Sequence, residues 1–120
     1  MRAFQFNGRT REFYAKGNIG SRGSPGGALT VSSDGKKPGT GIVWATLTNG
    51  KSADHGNAAG VLRAYEAETL NELWNSEGLP KRDRLGTLVK FVPPLVIGGK
   101  VFVPNYDNAV VVYGPIQATQ

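Results

Sequence analysis

The sequence predicts an all-β fold, and three observations support that prediction. The 120 residues include seventeen glycines and seven prolines, and the apolar runs between them have the length of strands. Residues 1–14 are loosely repeated by residues 62–74, and both segments run from Arg-Ala-aromatic through polar residues to Glu-apolar-aromatic. A fainter copy ends at Tyr113. Similar segments at a long spacing indicate a repeat architecture.

The composition excludes several classes of site. Without cysteine, the chain has no disulfide, no thiolate zinc site and no cysteine nucleophile. No apolar run approaches the roughly 20 residues that a membrane helix needs, so no membrane span is expected. The net charge is +5. The excess positive charge is spread over residues that we expect in solvated loops: Arg9, Arg11, Arg22, Lys36, Lys37, Lys81, Arg82 and Arg84.

The first half of the chain contains two predicted strands. Clustered Gly and Pro in residues 17–27 predict an irregular connection. Strands are expected at Ala28–Ser32 and at residues 41–47, separated by an Asp-Gly turn and a longer loop. The second strand has apolar residues on both faces, which predicts a sheet covered on both sides. Residues 48–59 form a long polar loop.

Residues 59–75 allow two predictions. Their apolar residues lie at helical spacing among good helix formers, which favours one amphipathic helix. The matching first copy, however, has Asn7-Gly8 in its polar middle, and Asn-Gly between apolar segments is a strong hairpin signal. We therefore predict two strands, Gly60–Glu66 and Glu72–Asn75.

The last third of the chain is predicted to be a charged loop followed by three strands. The loop covers residues 78–86. Residues 89–97 can form only an irregular or edge strand, because a Pro-Pro pair interrupts them. A Gly-Gly turn then leads into a hairpin, with strands expected at residues 100–104 and at Ala109–Tyr113.

One segment resembles the repeat of the quinoprotein-type β-propellers. In that repeat an aromatic residue or Leu precedes Asp-Ala-x-Thr-Gly, three variable residues and Trp. The chain keeps Ala67, Thr69 and Trp74 of this pattern. It has Glu66 where the family prefers Asp, and Leu70 where the family prefers Gly.

Other segments extend the resemblance over nearly the whole chain. Residues 41–45 and 99–103 are similar to the second strand of such a blade. Residues 90–114 resemble the closing blade of bacterial pyrroloquinoline-quinone-repeat propeller proteins. The resemblance implies five structural repeat residues: Trp44, Ala67, Thr69, Trp74 and Tyr113.

The fold that the resemblance implies is a partial β-propeller of about two blades, each a four-stranded antiparallel sheet. Residues 1–16 would be the outer strands of a preceding blade, and residues 17–77 a complete blade. Residues 78–114 would be an incomplete terminal blade, and residues 115–120 a tail. Because closed propellers have about four to eight blades, the chain would be the carboxy-terminal fragment of a longer ring.

The resemblance specifies the fold better than the function. It implies a binding or scaffolding module whose loops, at residues 48–59 and 78–86, meet a partner. The partners would be the remaining blades or other copies of the chain. The alternative is a segment of a quinone-dependent dehydrogenase whose catalytic residues lie outside this segment, and only then would pyrroloquinoline quinone and calcium be cofactors. The family also implies a periplasmic or secreted location.

Two motifs suggest catalytic chemistry. Residues 45–52 match a relaxed phosphate-binding P-loop, but the turn residues after them argue against the helix that a P-loop needs. His55, with Asp54 and Ser52 nearby, could complete a catalytic triad, although proximity in the sequence does not supply the geometry. We expect His55 to be a solvated loop residue.

Four oxygen-bearing side chains could bind calcium, but only if two separate loops meet. They are Asp54 and Asn57 in one loop, and Asp107 and Asn108 in another. No regularly spaced set of metal ligands is visible in the sequence. We therefore predict no catalytic residues and no metal site.

Two further groups have both a functional and a structural interpretation. The basic segment at residues 81–84 could contact nucleic acid, but Asp83 interrupts it, so nucleic acid is not an expected partner. Trp44 and Trp74 could stack on a planar cofactor. Packing between neighbouring blades is the favoured interpretation for both.

Overall fold

The structure, a computed structural model, describes residues 1–20 and 23–116. Residues 21–22 of the predicted connection and residues 117–120 of the predicted tail lie outside the described residues. The described part contains nine strands and one short helix: β1 (Arg2–Asn7), β2 (Glu12–Asn18), β3 (Ala28–Ser32), β4 (Ile42–Thr48), β5 (Gly60–Glu66), β6 (Glu72–Asn75), α1 (Pro80–Asp83), β7 (Leu95–Ile97), β8 (Lys100–Asn105) and β9 (Ala109–Tyr113).

The strands form three antiparallel sheets. The first contains β1 and β2, the second has the order β3-β4-β5-β6, and the third has the order β7-β8-β9. Each strand pairs with its neighbour in the sequence, as expected where short turns join antiparallel strands. None of the three sheets closes on itself within the described residues. The predicted all-β fold is confirmed.

Residues 59–75 form a hairpin, so the hairpin prediction is confirmed and the helix is not formed. The amide of Glu66 donates to the carbonyl of Asn71 at 2.9 Å, which closes the turn between β5 and β6. All residues of β5 before Glu66 are buried, on both faces of the sheet. The apolar pattern looked helical because a strand covered on both sides loses the alternation that marks a half-exposed strand.

Three of the six hairpin turns, β1–β2, β5–β6 and β8–β9, share one hydrogen-bonding pattern. The last residue of the first strand accepts backbone N–H groups of the turn with its own side chain: Asn7 from Arg9 and Thr10, Glu66 from Glu68 and Thr69, and Asn105 from Asp107 and Ala109. Side-chain acceptors of this kind stabilise tight turns. Glu66 thus performs the role that a shorter Asn performs in the other two turns.

The same turns also share a backbone conformation. A residue at or next to the end of each loop has a positive φ, 57° at Arg11, 62° at Leu70 and 59° at Asn108. The β1–β2 and β5–β6 hairpins both have a β-bulge within an Arg-Ala-aromatic segment, after Ala3 and after Ala64. The sequence repeat therefore corresponds to a structural repeat of bulge and turn.

Two details of the last third differ from the prediction. Residues 78–86 are not only a loop, because α1 lies within them, and Pro80 favours this single turn by fixing the backbone angle at the first helical position. The strand predicted across residues 89–97 is reduced to Leu95–Ile97, because the two prolines before it cannot donate ladder hydrogen bonds.

The four-stranded sheet has a core on each face, as predicted from its apolar pattern. On one face Val43, Ala45, Tyr65 and Leu70 form a buried cluster, and Met1, Ala3 and Ile19 pack against it from the side of the two-stranded sheet. On the other face Leu62 joins Leu85, Val101 and Val103. The middle sheet is thus packed between the other two.

Candidate functional site

The candidate site is an open cleft of about 930 Å³ between the four-stranded and the three-stranded sheets. Its two walls are mainly apolar, and it continues the core cluster of Leu62 and Val101 to the surface. The principal wall residues are Ile42, Trp44 and Trp74 on one side and Val96, Val111 and Tyr113 on the other.

The wall of the four-stranded sheet carries a row of three side chains. Trp44 on β4 lies opposite Ala64 on β5, and Ala64 lies opposite Trp74 on β6. The three side chains therefore share one face of the sheet. Ala64, which lies between the two tryptophans in the strand order, is buried. The Trp44 Nε1–H donates to Ser32 Oγ at 2.9 Å, which fixes that ring.

Tyr113 connects the two walls. Its ring meets Trp74 edge to face, with centroids 5.4 Å apart and an interplanar angle of 67°. The Tyr113 hydroxyl donates to the backbone carbonyl of Asp83 at 3.0 Å. Burial raises the pKa of Tyr113 to about 12, so the hydroxyl remains a donor at neutral pH.

The cleft also has a charged group on its wall. Arg82 Nε and Nη2 donate to the two carboxylate oxygens of Asp83, each at 2.6 Å. The hydrogen bond from Arg82 lowers the pKa of the Asp83 carboxyl, which is therefore ionised at neutral pH. The Arg82 side chain is half exposed. Its charge is paired with that of Asp83, and Asp34 and Thr40 add further polar groups to the cleft lining.

The structure separates the five predicted repeat residues into two groups. Trp44, Trp74 and Tyr113 come together at the cleft. Ala67 and Thr69 lie in the β5–β6 turn instead, where Ala67 packs against the cluster of Val43 and the Thr69 hydroxyl donates to Glu66. Packing was the favoured interpretation of Trp74, and its partly buried ring packs between the four-stranded and three-stranded sheets.

The P-loop and triad hypotheses fail on geometry. Residues 45–52 end in a turn, and the one described helix, α1, begins far beyond it. The Asp54 carboxylate accepts hydrogen bonds from Ser24 at 2.8 Å and Ser52 at 2.9 Å, which lower its pKa. A triad would need the histidine between the serine and the carboxylate. His55 is an exposed loop residue.

The proposed calcium ligands are used separately. Asp54 is bound by two serines, whereas Asp107 accepts the Thr87 amide at 2.9 Å. Among residues 1–20 and 23–116, no three His, Asp or Glu side chains are grouped to hold a metal ion. Calcium needs several converging oxygen ligands, and these four residues are not described as converging on one point.

The sequence did not reveal the contact between Arg82, Asp83 and Tyr113. The segment 81–84 was interpreted as a solvated basic patch, but Asp83 is buried and holds Arg82. Pro80, which starts α1, was the available signal, since proline is favoured at the first position of a helix. The approach of Tyr113, thirty residues away, had no local signal.

No family model, curated protein or solved structure matches this chain. In the part of the chain that the structure describes, no helix is long and apolar enough to cross a membrane.

Proposed function

We propose that the chain belongs to a β-propeller-type scaffold and acts as a binding module. Support comes from three successive antiparallel sheets that carry the same turn, and from the packing of the four-stranded sheet between the other two. A scaffold of this kind positions a site between sheets without needing catalytic residues. The two cleft walls would then correspond to neighbouring blades.

The observation that carries the binding proposal is the row of Trp44, Ala64 and Trp74 facing the third sheet across the cleft. Ligand sites in proteins commonly have volumes of about 300 to 1,000 Å³, apolar walls and a few polar groups, and the cleft has these properties. The ligand that fits is mainly apolar, contains a planar ring and carries a hydrogen-bond acceptor. The ring would lie against the indoles, and the Arg82 guanidinium, whose charge Asp83 balances, would donate to the acceptor.

Dye binding tests this proposal. The probe is 8-anilinonaphthalene-1-sulfonate, which combines aromatic rings with an anionic group. We expect saturable binding to the native protein and an affinity at least about tenfold lower in Trp44→Leu, because the planar partner is lost. Leu29→Ala is the matched control, since Leu29 is exposed and does not line the cleft. Equal affinity in Trp44→Leu and the native protein would contradict the proposal.

The quinone-dependent dehydrogenase remains an alternative hypothesis for a longer chain. Titration with pyrroloquinoline quinone, with and without calcium, separates it from the binding module. Tight, calcium-dependent binding that survives Trp44→Leu would favour the alternative. Calcium-independent binding that is lost in Trp44→Leu would place the quinone among ordinary planar ligands of the cleft.

A further inference from the structure

The strand β9 has one unpaired edge. On its inner side β9 pairs with β8 over all five residues, from Val101 opposite Tyr113 to Asn105 opposite Ala109. On its outer side no described strand pairs with it. Val110 and Val112 are 59% and 50% exposed. An unpaired strand edge presents a row of free N–H and C=O groups that another strand can bind.

Other edges of the three sheets carry features that discourage pairing. In the two-stranded sheet, β1 and β2 share a bulge and carry Arg2, Glu12 and Lys16. In the remaining sheets, β6 has four residues and β7 three. Charges, bulges and short length all protect edges. The edge of β9 has none of them.

The strand β3 is a second uncharged edge of five residues, but a neighbouring segment contacts it. It lies beside the segment that leads into β7, and the Thr30 hydroxyl donates to the Pro94 carbonyl at 2.5 Å. Among the described strands, β3 and β9 are thus the uncharged edges of five residues, and β9 carries three consecutive valines, of which Val110 and Val112 are at least half exposed.

We propose that β9 pairs with β9 of a second copy of this chain, antiparallel and with Val111 on the two-fold axis. This register pairs all five residues, with Val110 opposite Val112 of the second copy. If the register shifted by one residue, side chains on the exposed face of one β9 would lie beside side chains on the cleft face of the other. A shift by two residues would keep the faces matched but would reduce the number of paired residues. The strand is thus complementary to itself in one preferred register.

The charge distribution favours a second copy at this edge. Each chain has a net charge of +5, yet residues 108–116 contain no charged side chain, so two copies meet here without local repulsion.

The dimer should be weak. Five residues of strand extend about 17 Å, and an edge of this length buries less than the roughly 800 Å² per partner of a standard interface. We expect a dissociation constant on the order of 100 μM, which is measurable by sedimentation equilibrium. The symmetry makes the contact isologous, so association stops at two copies.

Charge substitution on the exposed face gives the first test. Val110→Lys with Val112→Lys puts like charges opposite each other twice, as does Val110→Glu with Val112→Glu. Each double variant should weaken dimerisation at least about tenfold, and an equimolar mixture should restore it through Lys and Glu pairs. Leu29→Lys with Val31→Lys is the matched control, because these residues are exposed on the edge strand β3.

Cross-linking tests the register in a nearly native chain. Because the protein has no cysteine, Val111→Cys introduces a single thiol, placed on the proposed axis. A short bismaleimide should link it into covalent dimers, whereas Ile97→Cys at the far edge of the same sheet should stay monomeric. A wild-type chain that is monomeric at 1 mM would overturn the proposal. So would dimers that persist in both double variants, or open-ended oligomers linked through Ile97→Cys.

Discussion

The rings of Trp74 and Tyr113 meet edge to face at 5.4 Å and join the four-stranded sheet to the three-stranded sheet. Edge-to-face aromatic pairs contribute about 0.5 to 1.5 kcal/mol beyond the apolar area that they bury. Trp74 also belongs to the cleft wall. One pair therefore links the stability of the sheet packing to the shape of the candidate site.

Trp74→Ala is expected to lower the free energy of unfolding by about 2 to 4 kcal/mol. The ring is only partly buried, so the loss should not exceed the usual range for a core aromatic. Urea denaturation followed by circular dichroism measures it. Trp74→Phe keeps an aromatic partner for Tyr113, so it should lower the free energy of unfolding by less than half as much as Trp74→Ala. Unchanged stability in Trp74→Ala would mean that the two sheets do not pack through this pair.

Replacing two of the three positive-φ turn residues, Arg11 and Leu70, with glycine should have opposite effects on stability. Arg11 is exposed, so Arg11→Gly removes only backbone strain and should stabilise the first hairpin by about 0.5 to 1 kcal/mol. Leu70 is 2% exposed, so Leu70→Gly relieves the same strain but empties a core position, with a net loss of about 1 to 3 kcal/mol. Amide hydrogen exchange across each hairpin reports both changes. If both variants were stabilised, or both destabilised, the different roles given to Arg11 and Leu70 would be wrong.

Gly17 holds the first hairpin against the turn between β5 and β6. A Cβ atom at Gly17 would lie 2.6 Å from the carbonyl oxygen of Thr69, too close without a backbone shift. Gly17→Ala should therefore cost about 1 to 3 kcal/mol, or separate the two elements. Gly8→Ala is the control, because no atom lies within 4 Å of its Cβ position. Equal melting temperatures for the two variants would show that the hairpin does not dock at Thr69.

The Glu66 turn should make part of the stability depend on pH. Hydrogen bonds from the Thr69 hydroxyl and from the amides of Glu68 and Thr69 hold the pKa of Glu66 below its ordinary value of 4.5. Because the folded-state pKa is depressed, the stabilisation is present above pH 4.5 and is lost as the pH falls through the folded-state pKa. The stability difference between wild type and Glu66→Gln should therefore shrink on acidification. Denaturant unfolding at neutral and acidic pH measures this stability difference. A difference that does not change with pH would show that protonation of Glu66 does not affect stability.

Much of the secondary structure was predictable because it depends on residues close in the sequence. Asn7-Gly8 predicted a turn, and the weaker second copy was then assigned by comparison with it. The helical spacing around Tyr65 was misleading by itself, because β5 is covered on both sides. The short helix at Pro80 was missed because loop charges around it dominated the interpretation.

Only part of the candidate site was predictable. The two tryptophans were recognised as repeat residues, but their common face depends on the strand register that places Ala64 between them. The contact of Tyr113 with Asp83 could not be found, because it joins segments that are thirty residues apart. Contacts of this kind depend on how sheets pack, which no local pattern encodes.

The sequence by itself determined the all-β class, the positions of the hairpins and the exclusion of thiol chemistry. These follow from turn residues, apolar patterning and composition, which act over a few neighbouring residues. The tertiary structure alone decided which sheet covers each face of the middle sheet, that Trp44 and Trp74 line a cleft, and that β9 has no second partner among the described strands. Each of these depends on which sheet faces another, because side-chain burial is set by strands that are distant in the chain.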